Sequence, residues 1–263
     1  MGDDMRDDET RYDNKAAKES GHGKEDPEVA GRLDALCRRF EIAVANFGRS
    51  CGALRANERS FQAWYASSVI QEFGLARVYR ELHLGKDQLF RGHTPGAEDP
   101  DAGLDVGHEL FPDLAVSWEP AIDARHEEAR CEEVKDAVSL LSRIAIVTEL
   151  KVTGSTMKHT PPAGIRRDLA KLMVFHRAVL SLAPRRQVHG LRCYMVILDN
   201  APGEGEEAFK HHYSVDYMQE ILRDVGKRWP PAVPEPTTIL IEPKDLGART
   251  HVFRTLHAEP EEL

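Results

Sequence analysis

The segment Ile144-Ala145-Ile146-Val147-Thr148-Glu149-Leu150-Lys151-Val152 constrains the fold more than any other stretch of the chain. It is β-branched and nearly continuous in its first half, as a central strand buried on both faces should be. Cys193-Tyr194-Met195-Val196-Ile197-Leu198 is a second run of this kind, and Thr237-Thr238-Ile239-Leu240-Ile241 a third. Between the first two, Pro161-Pro162 opens a helix that runs from about 163 to 182. Strands alternating with helices in this order predict the α/β class, with a central mixed sheet flanked by helices.

Upstream, Val29, Leu33, Leu36, Cys37, Phe40 and Ala43 recur at steps of three and four, which predicts a helix over 27–47. A second helix is predicted from about 57 to 82, with Asn57 as N-cap, Glu58 in the first turn and Gly85 as the stop. Residues 91–107 are rich in Gly, Pro and Asp and read as a loop. A short strand over 110–118 follows, opened by Pro112. Residues 124–142 read as a helix or a partly ordered insertion, and residues 213–226 as a helix.

The first 28 residues hold ten acidic and five basic groups and almost nothing large and apolar. Such a stretch cannot offset its ordering entropy, so a disordered acidic tail is expected, followed by a single domain over 29–263. The chain has 263 residues with a formal charge of −9. Five of those negative charges belong to the tail, so the body is only mildly acidic. At 41% hydrophobic residues the body can build a real core. No apolar run reaches the roughly 20 residues of a membrane helix, and the N-terminus is too acidic and polar for a signal peptide. Cys37, Cys51, Cys131 and Cys193 form no CxxC pair and no zinc spacing. Reduced thiols in a cytoplasmic protein are expected.

Two short strings carry chemistry: Pro112-Asp113 and Glu149-Leu150-Lys151. Glu-x-Lys recurs at Glu133 and Glu242, and Pro-Asp at Pro100-Asp101, so spacing alone decides nothing. Context separates them. Glu133 lies in a charged, helix-like stretch, Pro100-Asp101 in the loop, and Pro243 places the third pair at a strand's end. Glu149 and Lys151 sit two apart on one strand and point to one face, with Leu150 on the other. If the Asp113 strand pairs beside it, the three side chains converge. Two carboxylates and a backbone carbonyl suit a hard divalent ion, and a lysine beside them can orient water or balance charge on phosphorus.

In these strings the chain resembles the PD-(D/E)xK nuclease superfamily, the restriction-endonuclease-like fold. Asn57-Glu58-Arg59-Ser60, Phe111-Pro112-Asp113, Thr148-Glu149-Leu150-Lys151 and Asp168-Leu169-Ala170-Lys171-Leu172 occur in the order acidic helix, Pro-Asp strand, Glu-x-Lys strand, helix. Together they are similar to small bacterial members of that superfamily, over roughly residues 57–199. The resemblance implies a metal-dependent nuclease that hydrolyses phosphodiester bonds, with DNA as partner and Mg²⁺, or Mn²⁺ in its place, as cofactor. It implies Asp113, Glu149 and the Leu150 carbonyl as metal ligands, Lys151 as catalytic lysine and Glu58 as an auxiliary acid. A homodimer is left open. Thirty-five residues lie between Asp113 and Glu149, so residues 119–142 must loop out.

From Lys151 to Arg192 nine Lys or Arg stand against one acid, Asp168. That predicts a local basic face for a phosphate backbone, with Lys158, Arg166, Arg167 and Lys171 as candidate contacts. The plainer alternatives are solvated helix charges and a surface ion pair between Glu149 and Lys151. Glu58 also reads as a first-turn acid favouring the helix dipole, worth ~0.3–1 kcal/mol. Asp168 reads first as a residue of that kind. No histidine spacing points to a metal, His211-His212 included, and His159 and His176 receive no role. A non-enzymatic alternative is an inactive nuclease-fold module that binds nucleic acid or a protein partner. No phosphate-cradling GxxxxGK[ST] loop and no G-x-S-x-G elbow occurs.

Overall fold

The computed structural model of the chain describes residues 27–82, 84–85, 109–122, 140–153, 162–182, 190–204, 209–227, 233–243 and 252–256. Its elements in chain order are α1 (Pro27–Cys51), α2 (Glu58–Phe73), a 3-10 turn (Leu75–Arg77), β1 (Val78–Arg80), β2 (Leu84–Gly85), β3 (Glu109–Leu110), β4 (Leu114–Ser117) and β5 (Ile144–Val152). They continue with α3 (Pro162–Leu182), β6 (Arg192–Leu198), α4 (Val215–Gly226), β7 (Thr237–Glu242) and β8 (Val252–Leu256). The expected acidic tail lies outside the described residues, except that Pro27 and Glu28 open α1. The loop over 91–107 and most of the insertion over 124–142 also lie outside them.

Six strands form one sheet in the order β1-β4-β5-β6-β7-β8, and β2 pairs with β3 separately. β5, β6 and β7 run parallel to one another; β1 with β4, β4 with β5, and β7 with β8 are antiparallel. The sheet is therefore mixed, with its apolar, β-branched strands innermost. α3 forms the crossover between β5 and β6, which parallel neighbours require.

Alternation along each strand divides the core into two halves. On β6, Tyr194, Val196 and Leu198 face α1 and α2, whereas Cys193, Met195 and Ile197 face α3 and α4. On β5, Ile146, Leu150 and Val152 join the α1/α2 half, and Val147 the α3/α4 half. Phe40, Phe47, Phe61 and Tyr65 fill the first half with edge-to-face contacts. Among the described residues no helix is long and apolar enough to cross a membrane, and Cys37, Cys51 and Cys193 are free thiols.

α2 ends earlier than its periodicity predicts. Gly74 stops it with φ of 80°, a conformation glycine adopts cheaply, and its N–H donates to the Ile70 carbonyl at 2.8 Å. Val78 thus belongs to an edge strand, not to the helix, and pairs with Val116. Gly85, the expected stop, lies in β2. The predicted strand over 110–118 divides at Pro112, which lacks a ladder N–H, into β3 and β4. β8, absent from the sequence reading, closes the far edge.

Candidate active site

The Asn57 side chain accepts a hydrogen bond from the Ser60 N–H at 2.9 Å, so α2 begins at Glu58. Glu58 and Gln62 then share a helix face, four residues apart, while Phe61, Tyr65 and Val69 turn into the core. The Tyr65 hydroxyl meets the Thr148 hydroxyl at 2.8 Å and locks this helix onto β5 from behind.

The ladder between β4 and β5 pairs Leu114 with Thr148 and Ala115 with Val147. Continued by one residue, this register sets Asp113 opposite Glu149. Asp113 is tied in place from two sides. One carboxylate oxygen accepts the Leu150 N–H at 2.7 Å, and the other accepts the Gln62 side-chain amide at 3.1 Å. Three elements, α2, β4 and β5, are joined through this carboxylate.

Glu149 and Lys151 follow Val147 on the face toward α3 and meet two polar residues of that helix. Lys171 Nζ lies 2.5 Å from Glu149 Oε1 and donates to the Phe111 carbonyl at 3.0 Å. Lys151 Nζ lies 2.7 Å from Asp168 Oδ2 and 4.0 Å from Glu58 Oε1. Asp168 Oδ1 is 3.7 Å from Lys171 Nζ, so Asp168 stands between the two ammonium groups. The Glu149 side chain is 2% exposed, which makes this a buried cluster and not the exposed Glu149–Lys151 pair weighed from sequence.

Four carboxyl groups (Glu58, Asp113, Glu149, Asp168) thus face two ammonium groups, formally −2 when all are ionised. The electrostatics record that excess. Burial pushes the Glu149 carboxyl well above the usual range, and the Asp113 charge pushes it further. Burial also raises Asp113, against the pull of the Leu150 N–H and the two lysines. Glu58 is raised by burial, opposed by Lys151 and reinforced by Asp113 and Asp168. Burial alone would lower Lys151, but Asp168 above all, with Asp113 and Glu149, holds it above its ordinary value and fully cationic.

The donor set fits a hard divalent ion: carboxylate oxygens from Asp113 and Glu149, the carbonyl of Leu150 next to Glu149 in sequence, and an uncompensated negative charge. Among the described residues no three His, Cys, Asp or Glu side chains are grouped to hold a metal ion. An ion here would rest on two carboxylates, a carbonyl and water.

The fold therefore brings Glu58, Asp113, Glu149, Lys151 and Lys171 together. The Leu150 side chain lies in the opposite core half, and its N–H, not its side chain, serves the site. Gln62 and Asp168 are site residues that the sequence reading did not assign. Asp168 is six residues past the start of α3, beyond the reach of a first-turn dipole effect. Its spacing of three from Lys171 was the available signal, as was the spacing of four between Glu58 and Gln62.

The basic stretch does not form one face among the described residues. Lys151 and Lys171 lie among the carboxylates. Arg166 pairs with Asp224 of α4 at 3.2 Å, and Arg167 is exposed on α3. Arg192 lies 3.9 Å from Asp34 of α1, at the far end of β6; its partner in the ladder is Ile146, five residues before Lys151. Lys158, Arg185 and Arg186 lie outside the described residues.

Among the described residues, His176, His211 and His212 serve the fold. The buried Asp199 carboxylate accepts the N–H groups of His212 and Tyr213 at 2.7 and 2.9 Å, and its carbonyl meets His211 Nδ1 at 2.9 Å. His176 is buried with Nδ1 2.8 Å from the Pro234 carbonyl and Nε2 3.0 Å from the Leu191 carbonyl, fastening the chain before β6 to the chain before β7. Burial lowers its pKa, against the raising pull of the two carbonyls. A histidine lowered by folding stabilises the native state above its unfolded pKa of about 6.5, and that contribution fades as pH falls toward the lowered value. The stability of the wild type relative to His176→Asn, measured by urea unfolding, should therefore rise from pH 5 to about 6.5 and then level off. A difference independent of pH would disprove this.

No protein-family model, curated protein or solved structure matches the chain.

Proposed function

We propose that the chain is a metal-dependent nuclease of the PD-(D/E)xK kind, with a restriction-endonuclease-like fold, that hydrolyses phosphodiester bonds of DNA. The observation that carries this reading is the joint between β4 and β5. There the Leu150 N–H binds Asp113 from the middle of the Glu-x-Lys string, so the aspartate and glutamate become cross-strand neighbours. The pairing of parallel β5 and β6 around α3, with α2 supplying Glu58, supports it further.

Mg²⁺ held by Asp113, Glu149 and the Leu150 carbonyl would supply positive charge to the scissile phosphate and acidify a bound water. The remaining roles fall to side chains. Lys151, kept cationic by Asp168, donates to the attacking water or to a phosphate oxygen as charge builds on phosphorus. Glu58 is within reach of the same ammonium and limits its motion. Asp168 is a positioning residue: it holds Lys151 at 2.7 Å and fixes where that charge is presented.

The test offers linear and circular duplex DNA, single-stranded DNA and RNA to the purified protein with Mg²⁺, Mn²⁺ or EDTA. Cutting should require the divalent ion and favour DNA. Lys151→Met should reduce it by roughly 10²-fold or more, the scale for loss of one positioned transition-state donor. Full activity in that variant would remove Lys151 from the mechanism. Absence of cutting on every substrate would favour the inactive-module alternative.

A further inference from the structure

Lys171 is a charged side chain of the cluster that the proposed chemistry does not require, and it is mostly buried on α3. Its ammonium is surrounded by oxygen: the Glu149 carboxylate at 2.5 Å, the Phe111 carbonyl at 3.0 Å and the Asp168 carboxylate at 3.7 Å. The carbonyl belongs to the strand-leading segment that carries Asp113, and one of the carboxylates is a proposed metal ligand. This set of hard oxygens would equally serve a metal cation.

We infer that the Lys171 ammonium stands in for the divalent ion on Glu149, so that metal binding displaces it. The inference rests on the metal-dependent reading above. Glu149 is almost wholly enclosed and Lys171 contacts its Oε1, so a second cation on that carboxylate meets strong repulsion until the ammonium withdraws. Lysine suits exchange. Its charge is compact, its four-carbon stem is flexible, and here 13% of the side chain is exposed, which leaves a path outward. An arginine fork in this place would resist displacement. The device also explains how four carboxyl groups stay folded together without metal: Lys151 and Lys171 hold Glu58, Glu149 and Asp168, the Leu150 N–H and Gln62 hold Asp113, and one of the two ammonium groups is exchangeable.

Two measurements test it, neither of which reads activity. The first is calorimetric titration of wild type, Lys171→Met and Lys171→Arg with Mn²⁺ in the absence of nucleic acid. Removal of the competing charge should tighten Mn²⁺ binding by on the order of tenfold or more in Lys171→Met, while Lys171→Arg binds no tighter than wild type. The second is acetylation of wild-type lysines followed by peptide mass spectrometry. Lys171 should be protected without metal and become reactive at saturating Mn²⁺, while the exposed Lys210 does not change. Equal or weaker binding in a folded Lys171→Met overturns the exchange and leaves the metal reading intact. If Lys171→Met fails to fold, the labelling decides, and unchanged Lys171 reactivity at saturation overturns the exchange. If wild type and both variants bind no Mn²⁺, the metal reading falls and the exchange with it.

Discussion

Glu149→Gln should leave the protein folded and lower divalent-dependent cleavage by roughly 10³-fold or more, about 4 kcal/mol of transition-state stabilisation. Gln matches Glu in shape but has no anionic oxygen to offer an ion. The site loses half of its carboxylate pair, and its formal excess falls from two negative charges to one. The fold should tolerate the change. Burial and the Asp113 charge already disfavour the ionised carboxylate, so a neutral amide removes an unfavourable charge along with a favourable ion pair. Lys171 would retain the Phe111 carbonyl and Asp168. The expected change in unfolding free energy is therefore within about 1–2 kcal/mol, read by urea denaturation alongside the cleavage assay. A folded variant that cuts within threefold of wild type would exclude Glu149 as a ligand. Gross unfolding would show that the ion pair with Lys171 outweighs the desolvation that opposes it.

The elements that position this site were legible where one physical signal dominated. β5 and β6 are largely buried on both faces, and their nearly continuous β-branched and apolar runs match the observed strands to within a residue. α2 was over-extended because Leu75, Val78 and Leu82 continue a three-and-four spacing into a segment whose apolar residues serve a turn and an edge strand. Only the backbone at Gly74 ends the helix there. β8 was invisible for the complementary reason: it is a five-residue edge strand interrupted by Arg254. In the site, the period of two made Glu149 and Lys151 legible, and a proline before a strand made Asp113 legible. Asp168 was not, since a lone acid near a helix start has a cheaper explanation, and only the packing of α3 on β5 shows that it lies deeper and faces a lysine. The basic stretch was less legible for another reason. A charge sum along the chain has no direction, and folding sends Arg166 toward α4, Arg192 to the other end of the sheet, and Lys151 and Lys171 among acids.

Asp113 should separate the two functions that Glu149 does not. Asp113→Ala is expected to lose cleavage as severely as Glu149→Gln and also to lose about 2–4 kcal/mol of stability, because it removes the acceptor for two donors. One of them, the Leu150 N–H, is a backbone group of an inner strand with a 2.7 Å bond to the carboxylate, and the Gln62 amide loses its partner too. A buried donor left without an acceptor costs about 1–3 kcal/mol, more than a typical hydrogen bond contributes when both partners are free to find water. Asp113→Asn keeps an acceptor oxygen for Leu150, and rotation of the Gln62 amide can present its oxygen to the new NH₂ group. Asparagine should thus recover most of the stability and none of the cleavage, since it cannot restore the anionic oxygen. The two variants, compared by urea unfolding and by Mg²⁺-dependent cutting, distinguish a carboxylate that binds an ion from one that only joins α2 to the sheet. Equal stability of the two would show that the joint is not held through this side chain. Wild-type cleavage by Asp113→Asn would show that its charge is not what the chemistry uses.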